Sequence, residues 1–177
     1  PRLGYYEALN RFATDKPDLR FDLELQDFSD FVAGSGFGVF ENALHNGGGV
    51  KTLVIPGGAS FSRKQITELE ETAKTYHAKG MAFTKITDNG LEGGIGKFFD
   101  DRSEEICHRL GAAPGDLLVF AADRWKIACT ALGAVRSRLG RELDLIDDSR
   151  FAFAWVVDFP LFEWDEELRK WEPAHHM

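Results

Sequence analysis

Cysteine, basic charge and long apolar runs are all scarce in this sequence of 177 residues. Only two cysteines occur, Cys107 and Cys129, and neither belongs to a CxxC pair. The sequence therefore predicts reduced, buried thiols and argues against a disulfide framework or a zinc site. Basic side chains number 21 against 29 acidic ones, giving a formal net charge of -8. Because no basic field covers the whole molecule, any contact with nucleic acid has to be local.

Membrane and export signals are also missing. No apolar run approaches the roughly 20 residues that a transmembrane helix needs, and no charged-then-apolar leader opens the sequence. We therefore expect a soluble, cytoplasmic protein without membrane contact. A hydrophobic content of 44% is sufficient for one ordinary core, so we expect one main domain with flanking segments.

Apolar spacing and turn residues in the first third predict two helices and a hairpin. The first helix covers residues 3–12 and ends before a charged loop at 14–20. A short helix at 25–33 follows and is ended by two glycines. The β-prone runs 37–40 and 50–55 flank a glycine-rich segment, which predicts a β-hairpin.

The middle of the sequence predicts two long helices and two further strands. Ser62 and Gln65 form a capping box that begins a helix ending near Gly80. Asp123 is the predicted N-cap of the second long helix, which Gly140 is expected to stop. The sequence also predicts strands at 81–86 and 116–121, a flexible glycine-rich loop at 90–96, and a short helix at 104–110.

The resulting order is β-β-α-β-β-α. It predicts an α+β fold with two layers, in which one mostly antiparallel sheet is covered by two helices on one face. From about Phe151 a new apolar strand begins, and we expect it to belong to another sheet.

Few residues qualify as candidates for chemistry. The turn at Gly57 and Gly58 leads into a helix, where free amides can hold an anion, but two glycines there more often only make the turn. The isolated histidines and the acidic run 165–167 are typical of surface positions, so no metal site is predicted. His175 and His176 are adjacent in an extended segment, where neighbouring side chains point to opposite sides. One imidazole can therefore face a carboxylate; a tail without a role is the alternative.

Several segments together resemble one family, the bacterial-type aspartyl-tRNA synthetases of class II. The segments, in order, are Thr14-Asp-Lys-Pro-Asp-Leu-Arg20, Ile55-Pro-Gly-Gly-Ala-Ser60 with Ser62-Arg-Lys-Gln65, Ala78-Lys-Gly80, Gly90-Leu-Glu-Gly93, and Val156-Val-Asp-Phe-Pro160 through His175-His176. In that family this stretch lies between the second and third signature motifs, and its bulk is the inserted GAD domain. The resemblance implies catalytic-domain segments at 1–22 and 149–177 around a GAD domain at 23–148.

The resemblance also implies an activity for the longer protein. The family activates L-aspartate with ATP, with Mg as the counter-ion, and transfers it to the 3'-end of tRNA as a homodimer. His175 is implied as a contact to L-aspartate, with His176 beside it in the pocket. No catalytic, nucleotide-binding or metal-binding residue is implied within these residues, so the chain alone is expected to be inactive and to bind tRNA weakly or not at all.

Two departures and two alternatives accompany this resemblance. Phe12-Ala13-Thr14 stands where the family commonly has Tyr-Gly-Ser, and Met177 stands where proline is usual. One alternative is a GAD-type tRNA-binding module of a tRNA-dependent amidotransferase, which would not need the segment from Val156 to His176. The other is a structural spacer domain.

Overall fold

A five-stranded antiparallel sheet forms the centre of the structure, a computed structural model that describes residues 1–165 and 168–174. The helices are α1 Tyr5–Phe12, α2 Ser29–Val32, α3 Gly38–His45, α4 Arg63–Thr75, α5 Ser103–Leu110 and α6 Trp125–Glu142. The strands are β1 Arg2–Gly4, β2 Gln26–Asp27, β3 Gly49–Ile55, β4 Ala82–Thr87, β5 Gly90–Glu92, β6 Leu117–Asp123, β7 Trp155–Val157, β8 Phe162–Asp165 and β9 Lys170–Pro173. None of the helices in these described ranges combines the length and apolar character of a membrane span.

The strand order in the central sheet is β2-β3-β6-β4-β5. All of these neighbours run antiparallel, and β3 and β6 pair along their whole length from Gly49↔Asp123 to Ile55↔Leu117. This arrangement confirms the predicted α+β class and the mostly antiparallel sheet.

Side chains alternate between the two faces of the sheet, so each face has its own core. Leu53, Leu117 and Val119 pack on one face against the two long helices α4 and α6. Leu118 and Phe120 pack on the other face with phenylalanines from the short helices. The two predicted long helices therefore do share one face, and the shorter helices α2, α3 and α5 cover the other.

The predicted hairpin between 37–40 and 50–55 is wrong. Residues Gly38–His45 form helix α3, and the strand beside β3 is instead β2. A four-residue apolar run cannot distinguish strand from helix by spacing alone. Here Phe37 and Phe40, three residues apart, both pack in the second core. Their rings meet edge to face with centroids 4.8 Å apart.

Several predicted boundaries are also wrong. Gly80 does not end α4, because the left-handed residue after that helix is His77 with φ 71°. Asp123 is the last residue of β6 and does not cap α6, whose N-cap is Arg124. The residues of the predicted flexible loop at 90–96 begin with an edge strand, β5, which pairs with β4.

The segments at the two ends of the sequence meet in a second, smaller sheet. Strand β1 pairs in parallel with β7, with Leu3 opposite Val156. Leu3, Ala8 and Phe12 form a separate small core that Ala154 and Val156 contact. The prediction that the strand after Phe151 belongs to another sheet is therefore confirmed.

Candidate functional site

The predicted aspartate contacts, His175 and His176, lie outside the described residues. The structure describes the approach to them, a β-hairpin made of β8 and β9. Trp164 and Trp171 face each other across this hairpin, and the amide of Ala174 donates to the carbonyl of Leu161 at 3.1 Å. The chain therefore reaches Ala174 on a paired, ordered backbone.

Glu163 in strand β8 ties this hairpin to two helices. The Tyr5 hydroxyl of α1 donates to Glu163 Oε1 at 2.9 Å, and Lys126 Nζ of α6 donates to Glu163 Oε2 at 3.1 Å. Burial and the bond to the Glu163 carboxylate raise the pKa of Tyr5 to about 12. Partial burial opposes ionisation of Glu163, but its hydrogen bonds from Lys126 and Tyr5 hold its pKa below the ordinary value. The result is a polar junction between the terminal segments and α6.

The loop at 14–20 is folded on itself and anchored to the start of the C-terminal segment. Arg20 donates from Nε and Nη2 to the two carboxylate oxygens of Asp18 at 3.0 and 2.8 Å, and this hydrogen bonding lowers the pKa of Asp18. Arg20 Nη1 also donates to Asp148 at 3.0 Å. A pocket of about 290 Å³ lies between this loop and residues 148–153.

The turn at Gly57 and Gly58 is not an open anion site. Two of its amides already have partners: the amide of Gly57 donates to Asp116 Oδ1 at 3.0 Å, and the amide of Ala59 donates to the carbonyl of Gly115 at 2.9 Å. Gly58 is also buried, and a Cβ added to it would lie 2.8 Å from Leu117 Cβ. These glycines make the turn, as the sequence favoured.

Metal ligands are not clustered in the described part of the chain. No three histidine, cysteine or carboxylate side chains there are placed to hold a metal ion. His45, His77 and His108 are all exposed. Cys107 and Cys129 are free. Cys129 is buried, as predicted, and burial raises the pKa of its thiol to about 11, whereas Cys107 is only partly buried. Cys129 is therefore a packing residue.

A cleft of about 730 Å³ opens beside strand β6, which the sequence did not predict. Pairing of β4 with β6 ends at Ala82↔Phe120, whereas β3 continues to Asp123, so one edge of β6 is open beyond Phe120. Helix α3 forms one wall, and residues 79–83 form the other. Because the walls come from segments far apart in sequence, no local pattern marks the cleft. Its mainly apolar lining suits binding more than acid–base chemistry.

Large apolar side chains lie exposed on the C-terminal segment. Phe151, Phe153 and Trp155 are 85%, 83% and 77% exposed, and Trp171 is 65% exposed. The rings of Phe151 and Phe153 stack with centroids 6.1 Å apart, and exposed apolar side chains grouped in this way mark a contact area. Strand β7 also belongs to a two-stranded parallel sheet, a type of sheet that is normally covered on both faces.

A family model, described as the GAD domain, matches residues 40–132. The chain belongs to the GAD domain family. The matched range holds β3 to β6, α4 and the first part of α6, so the GAD domain comprises most of the central sheet. Its predicted presence is confirmed.

Curated relatives match beyond the GAD domain as well. The chain is 55% identical to an aspartate–tRNA(Asp/Asn) ligase of Treponema denticola and 49% identical to an aspartate–tRNA ligase of Lactiplantibacillus plantarum. Each alignment covers 99% of this chain and 30% of the relative. The chain therefore spans about a third of the length of the curated relatives it matches. Among solved structures, a hypothetical protein from Pyrococcus horikoshii aligns at 16% identity over 63% of this chain and 69% of its own, with a TM-score of 0.40.

Proposed function

We propose that this chain is part of an aspartate–tRNA ligase, a class II aminoacyl-tRNA synthetase. Such an enzyme activates L-aspartate with ATP to aspartyl-adenylate and transfers the aspartate to the 3'-end of tRNA. The observation that carries the proposal is 55% identity to a ligase of this name over 99% of the chain. The similarity extends through both terminal segments and is not limited to the GAD domain, which disfavours the amidotransferase alternative.

Three parts follow from this proposal. Residues 1–22 and 149–177 are segments of the catalytic domain, and residues 23–148 are the inserted GAD domain. The parallel pairing of β1 with β7 and the separate small core of Leu3, Ala8 and Phe12 support this division. The exposed aromatic side chains of Phe151, Phe153 and Trp155 support a catalytic sheet that continues in the rest of the enzyme.

His175 is proposed to bind the carboxylate of L-aspartate, with His176 as its neighbour in the pocket. An imidazole N–H that donates to a carboxylate forms a charge-assisted bond worth about 1.5–3 kcal/mol. Such a contact positions the substrate for attack on ATP and neutralises its charge. The β8–β9 hairpin, held through Glu163 to α1 and α6, supports a fixed approach to this pair.

The ATP and Mg of the reaction are not assigned to the described residues. No three histidine, cysteine or carboxylate side chains there are placed to hold a metal ion, and the amides of Gly57 and Ala59 in the glycine turn are already paired. The family resemblance implies that the residues binding ATP lie outside this chain, so we expect the chain alone to be inactive. A homodimeric, cytoplasmic parent enzyme belongs to the same proposal.

The test is aspartate-dependent ATP–pyrophosphate exchange by the full-length protein that contains this chain. We expect exchange in the unsubstituted protein and a loss of about tenfold to a hundredfold in His175→Ala, the range of one lost charge-assisted bond. His108→Ala, an exposed histidine on α5, is the matched control and should leave exchange unchanged.

The possible results separate the alternatives. Normal exchange by a folded His175→Ala protein would remove His175 from the substrate site. An absence of aspartate-dependent exchange in the unsubstituted protein, together with conversion of aminoacyl-tRNA, would favour the amidotransferase module. Neither activity would favour the structural spacer.

A further inference from the structure

Arg136 of helix α6 is a buried cation that contacts the loop between α1 and β2. Arg136 is only 2% exposed. In the described part of the chain its guanidinium forms no hydrogen bond with a carboxylate. Instead Nε donates to the carbonyl of Leu23 at 2.7 Å, and Nη2 donates to the carbonyls of Asp18 and Phe21 at 2.8 and 3.2 Å. One side chain thus binds three carbonyls of a single loop.

Two aromatic rings complete this site. The guanidinium carbon lies 4.1 Å from the ring centroid of Phe21 and 5.1 Å from that of Phe12. Cation–π contacts of this kind strengthen when they are removed from water. Burial lowers the pKa of Arg136, while the nearby carboxylates of Asp18, Glu24 and Asp22 oppose that effect. The guanidinium still carries its charge at neutral pH, because arginine side chains are not deprotonated in proteins.

The backbone that Arg136 holds is strained. Leu23 has φ 105°, a left-handed conformation that is unfavourable for a leucine. Such a conformation persists only where surrounding contacts impose it, and the 2.7 Å bond from Arg136 ends on this residue's carbonyl. Leu23 also lies where the proposed catalytic segment passes into the GAD domain.

We propose that Arg136 is a positioning residue through which helix α6 fixes the course of residues 13–25. Arg136 thereby holds the Thr14–Arg20 loop, which belongs to the proposed catalytic segment, in the position that activity requires. The inference rests on the proposed function and extends it, since it gives the inserted domain a mechanical role in aspartate activation. Removing the guanidinium would leave three loop carbonyls without a donor and release the strained turn at Leu23.

Arg138 offers a matched control on the same helix. It also donates to a backbone carbonyl, that of Glu68 at 2.8 Å, and to Thr72 Oγ1 at 2.9 Å. Both partners lie on α4, so Arg138 connects the two long helices, and its hydrogen bonds in the described part of the chain do not reach the loop. Loss of Arg138 should therefore leave residues 13–25 in place.

The experiment compares Arg136→Ala, Arg136→Lys and Arg138→Ala in the full-length protein. Hydrogen exchange is measured by mass spectrometry on peptides covering residues 13–25 and on peptides from β3 and β6. For Arg136→Ala we expect exchange in 13–25 at least about tenfold faster with β3 and β6 unchanged, because local opening is governed by local contacts. Aspartate-dependent ATP–pyrophosphate exchange should fall by about tenfold to a hundredfold, since small misplacements are costly in catalysis.

Chemical rescue separates positioning from general stability. Millimolar guanidinium ion, far below denaturing concentrations, should enter the space between Phe12 and Phe21 in Arg136→Ala and restore both loop protection and activity. Methylammonium has no planar fork and should not restore them. Arg136→Lys should show an intermediate loss that guanidinium does not reverse, because the lysine side chain fills the space.

Each contrary result has a defined meaning. Unchanged loop exchange in Arg136→Ala, faster loop exchange with normal activity, or failure of guanidinium to restore either readout would overturn the positioning role. An equal loss of loop protection in Arg138→Ala would do the same. If the unsubstituted protein does not activate aspartate, the proposed function fails, and the loop-exchange measurement alone still decides whether Arg136 holds the loop.

Discussion

At the scale of single residues, the contact between Ala13 and Gly133 joins the first helix to the last. Helix α1 ends at Phe12, and its C-cap residue Ala13 has φ 63° and ψ 17°, a left-handed conformation that glycine adopts at lower cost. The side chain of Ala13 faces Gly133 in the middle of α6, where an added Cβ would lie 2.3 Å from Ala13 Cβ. Gly133, which has no side chain, provides the space that the methyl group of Ala13 needs.

Gly133→Ala should therefore destabilise the protein. The new methyl group has to displace Ala13 and the end of α1, and overpacking of this kind typically costs about 1–3 kcal/mol. We expect a correspondingly lower free energy of unfolding, measured by urea denaturation followed by circular dichroism.

The double variant Ala13→Gly with Gly133→Ala tests the cause. It removes the opposing methyl group and relieves the left-handed alanine, so most of the loss should be recovered. Gly38→Ala, where nothing lies within 4 Å of an added Cβ, is the control and should cost no stability. Additive effects in the double variant would contradict the proposed contact.

At the scale of elements, the start of α4 is set by a local hydrogen-bonded motif. The amide of Gln65 donates to Ser62 Oγ at 3.3 Å, and the amide of Ser62 donates to Gln65 Oε1 at 2.9 Å. The predicted capping box is thus confirmed. It needs only residues three positions apart, so tertiary contacts do not alter it.

Ser62→Ala should lower stability by about 1 kcal/mol through loss of the cap. For a chain of this size the melting temperature should fall by about 2–4 °C, which differential scanning calorimetry measures. Lys64→Ala is the control in the same helical turn, because Lys64 is 87% exposed and its ion pair with Glu68 is long, at 3.8 Å. Equal losses in the two variants would show that the cap contributes nothing of its own.

Longer-range packing explains the elements that were predicted wrongly. Gly140 was expected to stop α6, but the helix continues to Glu142. The missing side chain of Gly140 makes room for the Phe21 ring, whose Cζ lies 2.6 Å from the position of an added Cβ. Residues 37–40 were expected to form a strand, but Phe40 packs between Phe99 and Phe120 when the segment is helical. In both places the deciding partner is distant in sequence.

At the scale of the whole molecule, charge determines what surfaces the chain can approach. The formal net charge is -8, and many basic side chains are engaged with carboxylates, as Arg11, Arg20 and Lys74 are. Long-range attraction of the chain to a polyanion such as tRNA is therefore weak.

Titration of the chain with labelled tRNA should accordingly give weak binding that disappears between low and moderate salt. Fluorescence anisotropy measures this directly, and the salt slope reports how many phosphates are contacted. Glu104→Lys with Glu105→Lys, two exposed positions on α5, should strengthen the non-specific binding. Tight binding that survives moderate salt would contradict this expectation and favour the tRNA-binding module.

The sequence by itself determined the α+β class, the long helices, the capping box at Ser62 and the resemblance on which the proposed function rests. These depend on periodicity and on residues a few positions apart, which are present in any stretch of chain. Tertiary structure alone decided that 38–45 is a helix, that the terminal strands β1 and β7 pair, and that Arg136 binds the carbonyls of residues 18–23. Each of these joins segments that are remote along the chain, and a buried contact between such segments outweighs local preference because it removes apolar surface and unpaired backbone groups from water.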